Sequence, residues 1–182
     1  SKASFKHHWG ITQMAAHGWG GVVNLAGIPY DCLFIEDIHS ENDLQKYDCL
    51  IFGQCKYVAE ENYRSLVAGL EKYMEKGGNV ILDGGLGFFD EDAKERDHTE
   101  LDNLFNIIYE GFKGNSGFRL RIADNSHFIT KQFENRKYVT QHLVNGLHIQ
   151  QFQDQGDVLL VLTDEKKSYP FLSSKTSDKN RI

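Results

Sequence analysis

The sequence holds only two prolines and three cysteines in 182 residues, and no apolar run of the ~18 residues that a membrane span needs. Basic residues are also in deficit: 20 Lys and Arg stand against 26 Asp and Glu, leaving a net charge of −6. That balance argues against a nucleic-acid footprint, which needs a basic patch. Cys32, Cys49 and Cys55 are an odd number for a disulfide framework, no Asn-x-Ser/Thr sequon occurs, and no signal-like segment opens the chain. Cys32 and Cys49 each begin an apolar run, where a thiol is expected to act as a small buried hydrophobe. What is abundant is aromatic and aliphatic bulk: eight Tyr, twelve Phe, two Trp, and 40% hydrophobic residues. A disordered chain is thereby excluded, and the length suits one α/β domain spanning residues 1–182.

The first half alternates helical and strand signals. Ile11, Met14, Ala15, Gly18, Val22, Leu25 and Ala26 fall on one helical face, expected to point inward, and Gly27 and Pro29 end that helix. Cys32-Leu33-Phe34-Ile35 and Cys49-Leu50-Ile51-Phe52 are short unbroken apolar runs, as in strands of a parallel sheet covered on both faces. The spacing of Tyr63, Leu66, Val67, Leu70, Tyr73 and Met74 predicts a helix over Val58 to Lys76, closed by Gly77-Gly78. Asn79-Val80-Ile81-Leu82 then reads as the next strand. Helices and strands alternating over short connections imply right-handed crossovers.

After Asp83 the pattern changes. Gly84 to Phe89 reads as a loop, Asp90 to Asp97 as a charged turn, and Thr99 to Phe105 as a short helix. β signals dominate from Ile107: Phe118, Leu120 and Ile122 alternate with Arg119 and Arg121, and further strands are expected over Tyr138 to Val144, Leu147 to Phe152 and Val158 to Leu162. Asn145-Gly146 is a hairpin signal between two of them, and Gln155-Gly156 separates the last two. Ser1 to Trp9 is too polar for a central first strand, and Ile182 could open a further one. The expectation is therefore a piece of a longer protein.

The succession Gly27-Ile28-Pro29-Tyr30-Asp31, Tyr47-Asp48-Cys49-Leu50-Ile51, the Val58 to Lys76 helix and Gly77-Gly78-Asn79-Val80-Ile81-Leu82 resembles the class I glutamine amidotransferase-like fold. It is most similar to the trimerisation domain of bacterial β-galactosidases, over roughly residues 11–108. The resemblance implies a flavodoxin-like three-layer sandwich with a mostly parallel sheet, followed here by a β-rich C-terminal part. It also implies a carbohydrate-related parent protein, in which this domain associates with other domains or with itself. Active members of that superfamily carry a cysteine nucleophile on the sharp turn after a strand. The equivalent place here, after Val80-Ile81-Leu82-Asp83, holds Gly84 and Gly85, and no His-Pro-Glu follows. The resemblance thus implies a non-catalytic domain, with no cofactor.

Other chemistry can be weighed residue by residue. Cys55 is the remaining nucleophile candidate, because Gly53-Gln54-Cys55 follows a strand and precedes a helix whose N-terminus would favour a thiolate. Tyr57, two positions on, is too large for a nucleophile elbow. In an enzyme built on Cys55, His127, His142 or His148 would be the base and the Gly84-Gly85 backbone would supply oxyanion donors. No His spacing promises zinc. Asp90-Glu91-Asp92 lacks the spacing of a calcium loop, and Gly85-Leu86-Gly87 meets Asp90 where a phosphate loop needs its last glycine. Gly53, Gln54, Cys55, Asp83, Gly84, Gly85 and Phe88 are expected to line the crevice at the carboxyl ends of the strands, which could also serve a ligand-binding module. Phe88-Phe89, if exposed there, would mark a protein interface.

Overall fold

A computed structural model describes residues 1–40, 42–133, 136–139, 144–154, 157–163 and 168–174. For 108–118, 144–154 and 168–174 it gives backbone pairing only. The chain forms two compact units, Ser1–Leu104 and Phe105–Ile182.

In the first unit, helix α1 (Lys2–Leu25) leads through a 3-10 turn (Ile35–Asp37) to strand β1 (Cys49–Gly53), helix α2 (Glu60–Glu75), strand β2 (Asn79–Asp83) and helix α3 (Thr99–Phe105). β1 and β2 pair in parallel, from Cys49 opposite Asn79 to Gly53 opposite Asp83. The crossover through α2 is the expected one. Tyr63, Leu66, Leu70 and Tyr73 on its stripe are buried, and Glu60 and Glu61 sit in its first turn against Lys72 in its last. The helix stops in a Schellman arrangement: Gly78 N donates to Tyr73 O at 3.0 Å and Gly77 takes φ +93°. Gly78 is required there, since a Cβ would collide with the Tyr73 ring.

Two expectations for this unit are corrected. Cys32-Leu33-Phe34-Ile35 is not a strand: residues 31–34 are irregular and Ile35 enters the 3-10 turn. The polar residues that follow explain why. Asp37 Oδ2 accepts from Phe34 N at 3.3 Å, and Glu36 Oε1 accepts from Lys2 N at 2.8 Å and Ser1 Oγ at 3.0 Å. Side chains thus claim the backbone locally instead of leaving it to a sheet. Cys32 is exposed rather than buried, and so is Cys49, although it does open strand β1.

The second correction concerns α1. The segment before Trp9 is helical, started by Ser1, whose side chain accepts from Ala3 N, and the helix kinks at His8 (φ −136°, ψ 49°). Ser4 is buried, its Oγ donating to Tyr57 O at 2.9 Å and accepting from Tyr57 N at 3.0 Å. The stripe expected to face inward does not. Ile11, Met14, Val22 and Leu25 are 46%, 75%, 58% and 91% exposed, while Thr12 is buried and Ala15 and Trp19 lie against Gly53. The helix is apolar on more than one side, so periodicity alone could not choose the packed face.

In the second unit, strand β3 (Ile107–Ile122) pairs antiparallel with β4 (Val144–Asp154) and β5 (Asp157–Thr163), and β5 pairs with β6 (Ser168–Ser174), giving the order β4-β3-β5-β6. The mixed α/β character and the β-rich second part are therefore as expected. Asn145-Gly146 makes no hairpin. It lies inside β4, where Asn115 opposes Leu147 and Ser116 opposes Asn145, leaving Gly146 as the extra residue of a bulge. Of the strand expected over Tyr138 to Val144, Tyr138 forms an isolated bridge to Arg121 and 140–143 lie outside the described residues. Gln155-Gly156 and Ile182 also lie outside them. β6 gave no clear strand signal because Pro170 interrupts it. An edge strand tolerates the lost N–H.

Candidate functional site

The two parallel strands end at one level, where Gly53, Gln54, Asp83 and Gly84 meet, whereas Phe88 packs against His98. Gln54 N donates to Asp83 O at 2.7 Å, prolonging the ladder by one bond. Past it the chain turns sharply on both sides. Gln54 takes φ +53°, a left-handed conformation that costs a non-glycine residue about 1 kcal/mol or more, and Gly84 takes φ +83°. The Gln54 side chain lies over Gly84, where a Cβ would meet Gln54 Nε2 at 2.5 Å.

Asp83 is the polar centre of this corner. Its Oδ2 accepts from Trp19 Nε1 at 2.9 Å, and Gln54 Nε2 stands 3.5 Å from Oδ1. Trp19 reaches it because α1 crosses the end of β1 at Gly53, where a Cβ would approach Ala15 Cβ to 3.2 Å. Lys56 adds a cationic head nearby. Burial draws its pKa down, partly offset by the Asp83 charge.

Cys55 joins the same turn through its backbone, its carbonyl accepting from Gly87 N at 3.0 Å. Its thiol points at Gly53 O, 3.6 Å away, and burial pushes its pKa above the ordinary 9.0. The expected helix N-terminus does not serve it. α2 begins at Glu60, whose N–H is already taken by Glu91 Oε2 at 2.9 Å. The proposed imidazole partners are engaged in turns or not described. His127 Nδ1 accepts from Ile129 N at 3.3 Å, His148 lies on β4 with only its backbone described, and His142 is outside the described residues.

The loop from Gly84 to Asp97 is folded onto α2. Phe88 is not exposed as an interface residue would be. It is buried with its ring edge-on to His98, centroids 4.9 Å apart, and Phe89 stacks on Tyr57 at 5.0 Å. His7 and His8 stack on the same Tyr57 ring at 4.8 and 5.3 Å. The acidic run is a built turn: Asp90 Oδ1 accepts from Asp92 N and Lys94 N, both at 2.9 Å, which depresses the Asp90 pKa. Among the described residues no group of three or more His, Cys, Asp and Glu could hold a metal ion.

Arg96 fixes this loop, a role the sequence did not advertise. Its side chain is 8% exposed, binds Glu60 Oε2 at 2.8 Å and Val58 O at 3.0 Å, and lies 4.2 Å over the Tyr63 ring. A lone Arg in a charged run carries no signature. Trp19 was likewise invisible as an Asp83 partner, because only the crossing of α1 over Gly53 brings them together.

The arrangement is a carboxylate held by N–H donors beside two tight turns. No family model matches the chain, and no curated protein matches it. Among solved structures, it is similar to a ThuA-like protein from Bacteroides uniformis, with TM-score 0.59 and 15% identity over 87% of this chain and 67% of that one. It is also similar to a β-galactosidase from Bifidobacterium adolescentis, with TM-score 0.48 and 12% identity over 99% of this chain and 90% of that one. The first likeness shows that the chain shares its fold with that protein.

Proposed function

We propose that this chain is a non-catalytic, glutamine amidotransferase-like association domain of a larger, carbohydrate-active bacterial protein, built on a flavodoxin-like sandwich. One observation carries the reading. The turn after β2, where the resemblance puts the nucleophile, is Gly84 at φ +83° with the Gln54 amide lying over it. The turn has the left-handed backbone such a position takes, but glycine offers no side chain that could attack. The Cys55 thiol, half-buried and with its pKa raised by desolvation, supports the same conclusion, since the thiolate is the reactive form. The carbohydrate link rests on the sequence resemblance to the β-galactosidase domain.

The test is ammonia release from glutamine and hydrolysis of activated ester probes by the intact chain, compared with Cys55→Ala. Equal background rates from both are expected. Turnover that the substitution abolishes would replace this reading with a cysteine-dependent hydrolase or amidotransferase.

A further inference from the structure

Along β3, Arg119 and Arg121 alternate with Leu120 and Ile122, which puts both arginines on one face of the strand, about 7 Å apart at the backbone. Their register partners carry no negative charge. Arg119 stands opposite Thr163, and Arg121 lies between Val161 of β5 and Tyr138 on its other side. The segment with Tyr138 is fixed there by Ile122 N donating to Lys137 O at 3.1 Å and Val139 N donating to Leu120 O at 2.9 Å. That pairing brings Lys137 to the same edge, with Arg136 next to it in the chain. The Lys137 ammonium sits 5.3 Å, and the Arg119 guanidinium 5.7 Å, from the centre of the Tyr138 ring.

This patch runs against the charge of the whole chain. From Arg119 to Tyr138 the sequence holds five Lys and Arg and two acids, Asp124 and Glu134, in a chain of net charge −6. Asp124 is committed to its own turn, where Oδ1 accepts from Ser126 N at 2.8 Å and from Ser126 Oγ at 2.7 Å. Glu134 lies outside the described residues. Among the described residues no carboxylate forms an ion pair with Arg121, Arg136 or Lys137. Like charges gathered on neighbouring sheet positions repel one another unless a counter-charge is present. The Tyr138 ring offsets part of that cost and holds two of the cations in place before a ligand arrives.

We propose that Arg119, Arg121 and Lys137 around Tyr138 bind one doubly charged oxyanion, the group of a phosphate or sulfate ester. Each guanidinium offers paired N–H donors to such oxygens at about 2.8 Å, and the lysine adds a third charge from the neighbouring segment. Three cations match a dianion better than the single charge of a carboxylate. A nucleic-acid duplex is the poorer match, since its binding surfaces engage about six to ten phosphates and this chain is acidic overall. All the residues of the site belong to the second unit, and the proposal does not draw on the association reading.

The probes are inorganic phosphate and inorganic sulfate, titrated into the 182-residue chain at about 20 mM ionic strength while the arginine Nε–H signals are followed by NMR. Saturable shifts are expected with a Kd of about 1 mM or tighter, and none with chloride at the same ionic strength. The tighter of the two anions identifies the ester. Arg121→Ala and Lys137→Ala are each expected to weaken binding about tenfold or more, Arg121→Lys less, and Arg64→Ala on α2 not at all. Lys137 is exposed, so its variant reads the site even where Arg121→Ala fails to fold. Absence of saturation below about 20 mM, equal shifts from chloride, or unchanged affinity in Lys137→Ala overturns the proposal. So does a duplex oligonucleotide that binds about a hundredfold tighter than phosphate, which would make the patch part of a nucleic-acid surface. Turnover that depends on Cys55, which decides the association reading, leaves each of these results untouched.

Discussion

At Gly84 the left-handed backbone strains any side chain, and the end of the Gln54 side chain would also have to swing aside. Gly84→Ala is therefore expected to lower stability by about 1–3 kcal/mol, measured as a fall in urea midpoint at constant slope. An unchanged midpoint would mean that the turn has room to spare. Arg96 is the opposite case, a charge made necessary by its partners. Removing it strands the Val58 carbonyl and exposes the Tyr63 ring, so Arg96→Ala is expected to cost about 3 kcal/mol, and Arg96→Lys less. Tyr63 should also report its surroundings spectroscopically. Burial, and then the Glu100 charge, push its phenol up to about 12, so an ultraviolet titration of the protein is expected to lose its highest step in Tyr63→Phe. The residue scale is also where the sequence was least informative. The glycine at position 84 and the misfit of Tyr57 were plain in the order of residues, whereas Trp19 and Arg96 act through contacts made only when distant segments meet.

Among the elements, α2 and β2 were legible because each signal agreed with the next: a single apolar stripe, acids first, a lysine in the last turn, paired glycines, then an apolar run. Leu66→Ala, at a fully buried stripe position, is expected to cost about 2–5 kcal/mol in the same denaturation experiment. The run Cys32 to Ile35 misled because apolar composition was read without the side chains behind it, Glu36 and Asp37, which hold the backbone in a turn. Asn145-Gly146 misled for a related reason, since a glycine that fits a hairpin also fits a bulge. The acidic turn from Asp90 to Asp97 has a pH signature. Backbone N–H groups depress the Asp90 and Glu91 carboxyls below 3.8 and 4.5, and the Thr99 side chain and N–H do the same for Asp97. Depressed carboxyls contribute stability that is present above their unfolded values and is lost as pH falls through the folded ones. Amide exchange at Asp92, Lys94 and Thr99 should accordingly quicken relative to α2 as pH drops below those unfolded values.

At the scale of the whole molecule, the boundary between the two units, Leu104 to Phe105, falls close to Ile107, where β signals begin to dominate, and among the described residues the strands of the first unit pair in parallel and those of the second antiparallel. The β-rich character of the second was legible, but its strand order was not, since pairing partners leave no mark in a single strand. What binds these observations together is the left-handed Gly84 turn after β2 and the half-buried Cys55 thiol on the turn after β1. The most direct measurement is the pH dependence of Cys55 alkylation, resolved by peptide mapping with the exposed Cys32 as internal reference. The expected profile has Cys55 slower than Cys32 at about pH 7 and rising only above 9.0. A Cys55 that reacts first, with an inflection below about pH 7, would contradict the account.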